Sequence, residues 1–305
     1  MDGHRFHPIL IASVNVEDNQ HRRRVQNAYD EYKSKNAGAQ VRLDMHSELV
    51  ILAGEDELKL NAAREYIASE ATAVIAPIQV AFRETIRKHA EAEGKYIRQT
   101  GGSGNYGHCW LRVEPNEPGK GYEFINDIKG GVVPKEYIKP IDQGIQGAME
   151  LGILAGFPIV DVKVTLFDGS YHEVDSNEMA FKFAGSIAFK EAARKAHPVL
   201  LEPVMAVEVT VPEEFMGVII GDINSRRGRI EGMEHAAGSQ VIKAMVPLME
   251  LLSSSAHGRP EYSIQFARYE AVKMPGEGDE TAGSLVTKPD RPNFPRPAKR
   301  SEPLG

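Results

Sequence analysis

Apolar and polar positions along this chain form short blocks whose period switches between that of a strand and that of a helix. In the first block Ile9–Val16 reads as a strand and Asn19–Lys35 as a helix with Val25, Ala28, Tyr29 and Tyr32 on one face. Gln40–Asp44 and Leu49–Ala53 read as a hairpin pair, Asp56–Ser69 as a second helix and Thr72–Ala76 as a closing strand. The resulting β-α-β-β-α-β order is the ferredoxin-like split unit. It returns near the other end: strand Val204–Val211, helix Glu213–Arg226, strands Arg229–His235 and Gln240–Val246, a turn or two of helix over Pro247–Ser253, and strand Tyr262–Tyr269. No sequence identity links the two blocks, so the repeat is one of architecture.

Between them, Gln79–Arg87, Gly94–Thr100, His108–Glu114 and Tyr122–Ile128 read as strands, and Pro134–Leu151 as a helix in spite of Pro140 and Gly144. The connection Ile153–Pro158 leads to strand Val160–Phe167. A tight turn follows, for which Gly169 can supply an unusual backbone angle. Asp175 with Glu178 three residues on has capping-box spacing. Phe181, Ala184, Ile187, Ala188 and Ala192 then recur at helical period. Arg194, Lys195 and His197 suit the negative helix end, and Pro198 stops it. A helix of about 20 residues spans roughly 30 Å. It is a rod able to hold the Tyr171-His172-Glu173 turn out from a core. From Lys273 onward the composition changes. Six of the 18 prolines lie there (Pro275, Pro289, Pro292, Pro295, Pro297 and Pro303) among Gly, Asp and Lys. Such a segment has too little apolar surface to offset ordering entropy and is expected to be disordered.

The chain has 305 residues, 42% hydrophobic and 26% charged, which suits two or three soluble domains. No apolar run reaches about 18 residues, so no membrane span is expected, and the first residues lack the regions of a signal peptide. The single cysteine, Cys109, leaves no internal disulfide framework and no zinc site of paired cysteines, which suggests a cytoplasmic setting. Net charge is −7, so nucleic-acid contact has to come from local patches.

Four clusters carry candidate chemistry. Gly102-x-Gly104-x-x-Gly107 has dinucleotide-loop spacing, but a strand follows it where a helix is required. No kinase motifs accompany it, so it reads as a hairpin tip whose glycines permit positive φ and close approach. No phosphate-cradling G-x-x-x-x-G-K-[ST] occurs. His172, Glu173 and Asp175 suggest metal or proton-transfer chemistry, but the second half of a deaminase or H-E-x-x-H pattern is missing; the plain alternative is a helix cap beside an exposed turn histidine. Arg226, Arg227 and Arg229 are either dipole partners of a helix end or a bidentate phosphate site, and charge density leaves both open. His21-Arg-Arg-Arg24 reads as a solvated helix face.

Several long runs resemble the C-terminal half of translation elongation factor G: V-A-F-R-E-T-I at Val80–Ile86, G-G-S-G-N-Y-G-H, G-Y-E-F-I-N-D-I-K-G-G-V-V-P, G-S-Y-H-E-V-D-S-N-E-M-A-F-K, P-V-L-L-E-P-V-M and I-G-D-I-N-S-R-R-G-R-I. The resemblance is collinear over about residues 8 to 270. It implies an α+β protein: a ferredoxin-like third domain over 1–77, a ribosomal-protein-S5-domain-2-like fourth domain over 78–201, and a ferredoxin-like fifth domain over 202–271. The proline-rich tail over 272–305 stands in place of the family's C-terminal helix. In that family the fourth domain mimics a tRNA anticodon arm and enters the decoding region. This would recruit Gln99, Gly101, Gly102, Ser103, Gly104, Asn105, Tyr106 and His108 from one loop and Ser170, Tyr171 and His172 from another, with His172 most advanced. The fifth domain contacts large-subunit rRNA, which would recruit Arg226, Arg227 and Arg229.

The sequence departs from the family in further ways. Ser103 stands where arginine is usual and Asn105 where glutamine is usual. Met249–His257 is shortened and polar, and the GTPase domain is absent from the sequence. The expectation is a stand-alone relative that binds the ribosome (16S and 23S rRNA and ribosomal proteins) and performs no catalysis. It would need no cofactor, with GTP entering only through a separately encoded GTPase partner. The rival is a truncated paralogue with a structural, protein-binding role; an enzyme centred on His172 is a third reading.

Overall fold

The computed structural model describes residues 8–45, 50–98, 104–236, 239–252 and 261–272. The tail from 273, the 253–257 part of the shortened segment, and Gln99, Gly101, Gly102 and Ser103 lie outside the described residues. Among the described residues the chain divides into two compact units, one holding 8–81 and 203–268, the other 82–202 and 269–272.

In the first unit, β1 (Leu10–Val14), α1 (Asn19–Lys35), β2 (Val41–Met45), β3 (Val50–Gly54), α2 (Glu57–Ala71) and β4 (Gln79–Val80) build an antiparallel sheet of order β2-β3-β1-β4. This is the ferredoxin-like arrangement. Both helices start where a short acidic side chain takes up an orphan amide: Asp18 accepts the N–H of His21 at 2.6 Å, and Asp56 that of Lys59 at 2.9 Å. Val25, Ala28 and Tyr32 of α1 and Leu60, Ala63 and Ile67 of α2 are buried, as are Leu10, Ala12 and Val14 of β1. The expected closing strand Thr72–Ala76 is displaced. Thr72 takes a left-handed cap at φ 53°, and only a bridge joins Ile75 to Val14. Pro77 has no N–H to continue the ladder, and pairing with β1 resumes at Gln79 and Val80. The stretch expected as one strand, Gln79–Arg87, therefore serves two sheets: β4, and β5 (Arg83–Ile86).

The same unit contains β10 (Pro198–Pro212) from Pro203 onward, a 3-10 turn (Glu213–Phe215), α5 (Met216–Ser225), β11 (Arg229–Ala236), β12 (Ser239–Pro247), α6 (Leu248–Leu252) and β13 (Glu261–Ala271) up to Arg268. The strand order β11-β12-β10-β13 repeats the ferredoxin-like topology. Val207, Val209 and Val211 pair with Ala244, Ile242 and Gln240 on a buried face, while Glu208 and Thr210 face out. This is the alternation of a one-sided antiparallel sheet. The helix expected over Glu213–Arg226 opens as a 3-10 turn and ends one residue early, with Arg226 as its cap.

In the second unit, β6 (Ala90–Arg98), β7 (Asn105–Pro115), β8 (Glu123–Asn126) and β9 (Val162–Ser170) form a sheet of order β6-β7-β9-β8, with β8 parallel to β9. α3 (Lys135–Leu151) and α4 (Glu178–Lys195) complete a core with Leu111, Val113, Val164, Leu166, Ile141, Ile145, Phe181 and Phe189 fully buried. The whole is α+β, as expected. β5 pairs with the first residues of β10, Pro198–Leu201.

One side chain invisible to pattern reading organises this unit. Glu84 on β5 is wholly buried, and its carboxylate accepts five backbone N–H groups of the α3–β9 connection. Ile153 and Leu154 donate to Oε2 at 2.6 and 2.8 Å. Ala155, Gly156 and Phe157 donate to Oε1 at 2.7, 2.9 and 3.1 Å. A loop with no regular ladder thereby has its amides satisfied inside the protein.

Candidate functional site

The two loops that bound the sheet at the ends of β7 and β9 meet, although some 70 residues separate them in the sequence. Asp175 Oδ1 accepts the N–H of Gly104 at 2.9 Å, and Asp175 O accepts that of Tyr106 at 2.8 Å. Asn177 Nδ2 donates to Asn105 Oδ1 at 2.7 Å. Below them, Ser170 Oγ lies 2.7 Å from the Tyr106 hydroxyl and 2.6 Å from His108 Nδ1. Gly104, Asn105, Tyr106, His108, Ser170, Tyr171 and His172 therefore share one tip.

The turn itself is closed by reciprocal bonds. The His172 N–H donates to Ser176 Oγ at 2.8 Å, and the Ser176 N–H to His172 O at 3.1 Å. His172 Nδ1 accepts the amides of Val174 at 3.3 Å and Asp175 at 3.2 Å. That nitrogen is thereby engaged within the turn, and Asp175 Oδ2 lies 3.5 Å from it. The His172 side chain is 55% exposed, with Tyr171 and Val174 exposed beside it. Its ring centroid lies 6.2 Å from that of Tyr106. Among the described residues no group of three or more His, Cys, Asp or Glu is placed to hold a metal ion.

Two local expectations change here. Asp175 does not cap α4: Asn177 does, accepting the Ala180 N–H at 2.9 Å, because Asp175 is taken up by the other loop. Asn and Asp are equal N-caps, so sequence could not separate them. Gly169 has no positive φ; it lies in β9, and a Cβ there would come within 2.6 Å of His108 O. Gly107 likewise lies against α4, where a Cβ would meet Ala180 O at 2.4 Å. Both glycines serve close approach. One tip cation went unnoticed in the sequence: Arg98, exposed at the end of β6 and paired in register with Asn105. A basic residue flanking a glycine loop was the available signal.

The three arginines lie after α5, in the other unit. Each has an acidic partner. Arg226 Nε donates to Asp222 Oδ2 at 2.8 Å, Arg227 Nε to Glu250 Oε1 at 2.8 Å, and Arg229 to Glu231 Oε1 at 2.9 Å. Arg226 also donates to the carbonyl of Glu250 at 3.2 Å, joining the end of α5 to α6. Side-chain exposure rises along the run, 18% for Arg226, 39% for Arg227 and 57% for Arg229. Arg226 is thus largely a structural cap, and Arg229 is the guanidinium most open to solvent.

Residues 78–197 match the family description elongation factor G, domain IV, and residues 199–275 match elongation factor G C-terminus. The chain belongs to the elongation factor G family. It is also similar to the crystal structure of ttk003000868 from Thermus thermophilus, at 36% identity and a TM-score of 0.62, over 88% of this chain and 41% of that one. The chain therefore spans about two fifths of that protein's length. The tip described above lies wholly within the elongation factor G domain IV match, and the arginines within the C-terminal match. No helix among the described residues is long and apolar enough to cross a membrane.

Proposed function

We propose that this chain binds the ribosome. The domain IV tip would face the decoding region of the small subunit and the last domain would contact large-subunit rRNA, in translation elongation or its regulation. In this reading the residues present contribute no catalysis and need no cofactor of their own. A cytoplasmic location follows from the ribosome as partner. The observation that carries this reading is the convergence of the two loops. Gly104–His108 and Ser170–His172 are latched together at one end of a rigid sheet, in a domain of a translation-factor family. Short polar side chains, a tyrosine and a histidine suit irregular RNA, which is recognised by shape, stacking and 2′-hydroxyl contacts. Arg98 supplies local positive charge beside the loop that carries Ser103.

The test is co-sedimentation of the purified protein with 70S ribosomes across a salt series, beside Arg98→Ala and Arg229→Ala. These two are preferred to Arg226→Ala, which disturbs the α5–α6 contact. Saturable binding that weakens with salt, with a shallower salt slope in each variant, is expected from release of phosphate counterions. Absence of binding at low salt overturns the proposal in favour of a structural, protein-binding paralogue.

A further inference from the structure

Beneath the tip, four polar side chains from three adjacent strands form a relay. Glu93 Oε1 of β6 lies 3.0 Å from His108 Nε2 of β7. His108 Nδ1 lies 2.6 Å from Ser170 Oγ of β9, which lies 2.7 Å from the Tyr106 hydroxyl of β7. Once the proton of the His108 ring is placed, the direction of each following bond is set. His108 Nε2 is shut off from solvent; the Glu93 oxygen is off the axis of a linear hydrogen bond, and the nitrogen makes no hydrogen bond among the described residues. Glu93 is a carboxylate that only accepts, and with its oxygen 3.0 Å away charge–dipole attraction favours an N–H at Nε2 over an unprotonated, electron-rich nitrogen, even without a hydrogen bond. The proton therefore stays on Nε2. In the ring form carrying one proton, Nδ1 is then an acceptor, and the Ser170 O–H donates to it. The Ser170 oxygen in turn accepts the O–H of Tyr106. The half-buried phenol has given its proton inward and has only lone pairs left to offer.

We propose that Glu93, acting through His108 and Ser170, fixes Tyr106 as a hydrogen-bond acceptor at the tip, so that Tyr106 takes RNA by a ribose 2′-hydroxyl. A phosphate offers acceptors only and finds no proton at Tyr106. A 2′-hydroxyl is a donor, and DNA lacks it. Glu93 and His108 are positioning residues here, and neither needs to touch the ligand. The residue types also spell nucleophile, base and carboxylate, but Ser170 Oγ already faces two partners and holds the strands together. The inference rests on the reading that the tip meets RNA, and it adds the chemistry of one contact.

Two measurements test it. Histidine 15N spectra, recorded at a pH where the ring holds a single proton, are expected to place that proton of His108 on Nε2; Glu93→Ala is expected to move a fraction of it to Nδ1. A tip titration then follows Tyr106 resonances against a single-stranded RNA 12-mer and its 2′-deoxy counterpart. RNA is expected to bind about five- to tenfold tighter, roughly the worth of one hydrogen bond. Tyr106→Phe is expected to abolish that preference with the fold intact. An Nδ1-protonated His108 in the wild type, an equal response to both oligomers, or no response to either overturns the inference. Sedimentation with ribosomes alongside any of these results leaves the ribosome proposal standing, so the two failures are separable.

Discussion

Asp175 accepts the backbone N–H of Gly104 at 2.9 Å, and this bond latches the turn before α4 to the loop before β7. The residue one would choose from sequence as a helix cap is instead the clasp of the tip. Asp175→Ala should therefore cost global stability no more than about 0.5 kcal/mol, because the half-buried bond it removes joins two loops and closes no helix. Amide exchange at Gly104 and Tyr106 should rise. Asn177→Ala should cost more, about 1 to 2 kcal/mol in thermal unfolding, through loss of the cap. Equal melting losses from the two variants would refute the assignment.

Glu84 holds five amides, and no isostere reproduces that. Glu84→Gln replaces one acceptor oxygen with an NH2 group set against N–H donors. The expected cost is about 3 kcal/mol, from donors left unsatisfied inside the protein. Trp110, the chain's single tryptophan, lies on β7 of the same unit and reports the urea transition by fluorescence. A midpoint unchanged by Glu84→Gln would show that the loop is held by other means.

Burial pushes the Cys109 thiol up to about 12. The native state keeps this proton above the pH at which an unfolded chain releases it, about 9. Its contribution is therefore fully present below about 9 and is lost as pH rises towards 12. The limit is about 4 kcal/mol by linkage. Burial likewise raises Tyr122, where the hydrogen bond to Asp142 adds to it, and Tyr269, where Arg83 opposes it. Denaturant midpoints should fall between pH 9 and 11, less steeply in Cys109→Ala, and the native thiol should resist aromatic disulfide reagents at pH 8. Rapid labelling of folded protein would contradict the burial argument.

Arg227 is paired with Glu250, so any phosphate it meets competes with that carboxylate. Glu250→Gln should strengthen ribosome association up to about fivefold, since a half-exposed pair is worth at most about 1 kcal/mol. The effect should vanish in Glu250→Gln combined with Arg227→Ala. No gain in the single variant would mean that Arg227 stays with α6 or that its site is elsewhere.

Local signals sufficed for much of this protein. The bounds of α1 and α3, the two split units and the one-sided sheets follow from hydrophobic period, N-caps and turn residues, which act over a few positions. Collinear motifs sufficed for the family. Other features depend on neighbours that are remote along the chain. Whether Asp175 or Asn177 caps α4 was settled by Gly104 arriving from another loop. Gly169 is required by the proximity of His108 rather than by its own φ, and the stretch 79–87, which reads as one strand, is divided between β4 and β5. Glu84 looks like any polar residue in a strand until five amides from a distant loop converge on it. The arginines after α5 are equally basic in sequence, and only the position of Glu250 and Asp222 ranks them by exposure. Periodicity is a property of neighbours along the chain, whereas the satisfaction of a buried polar group is a property of neighbours in space.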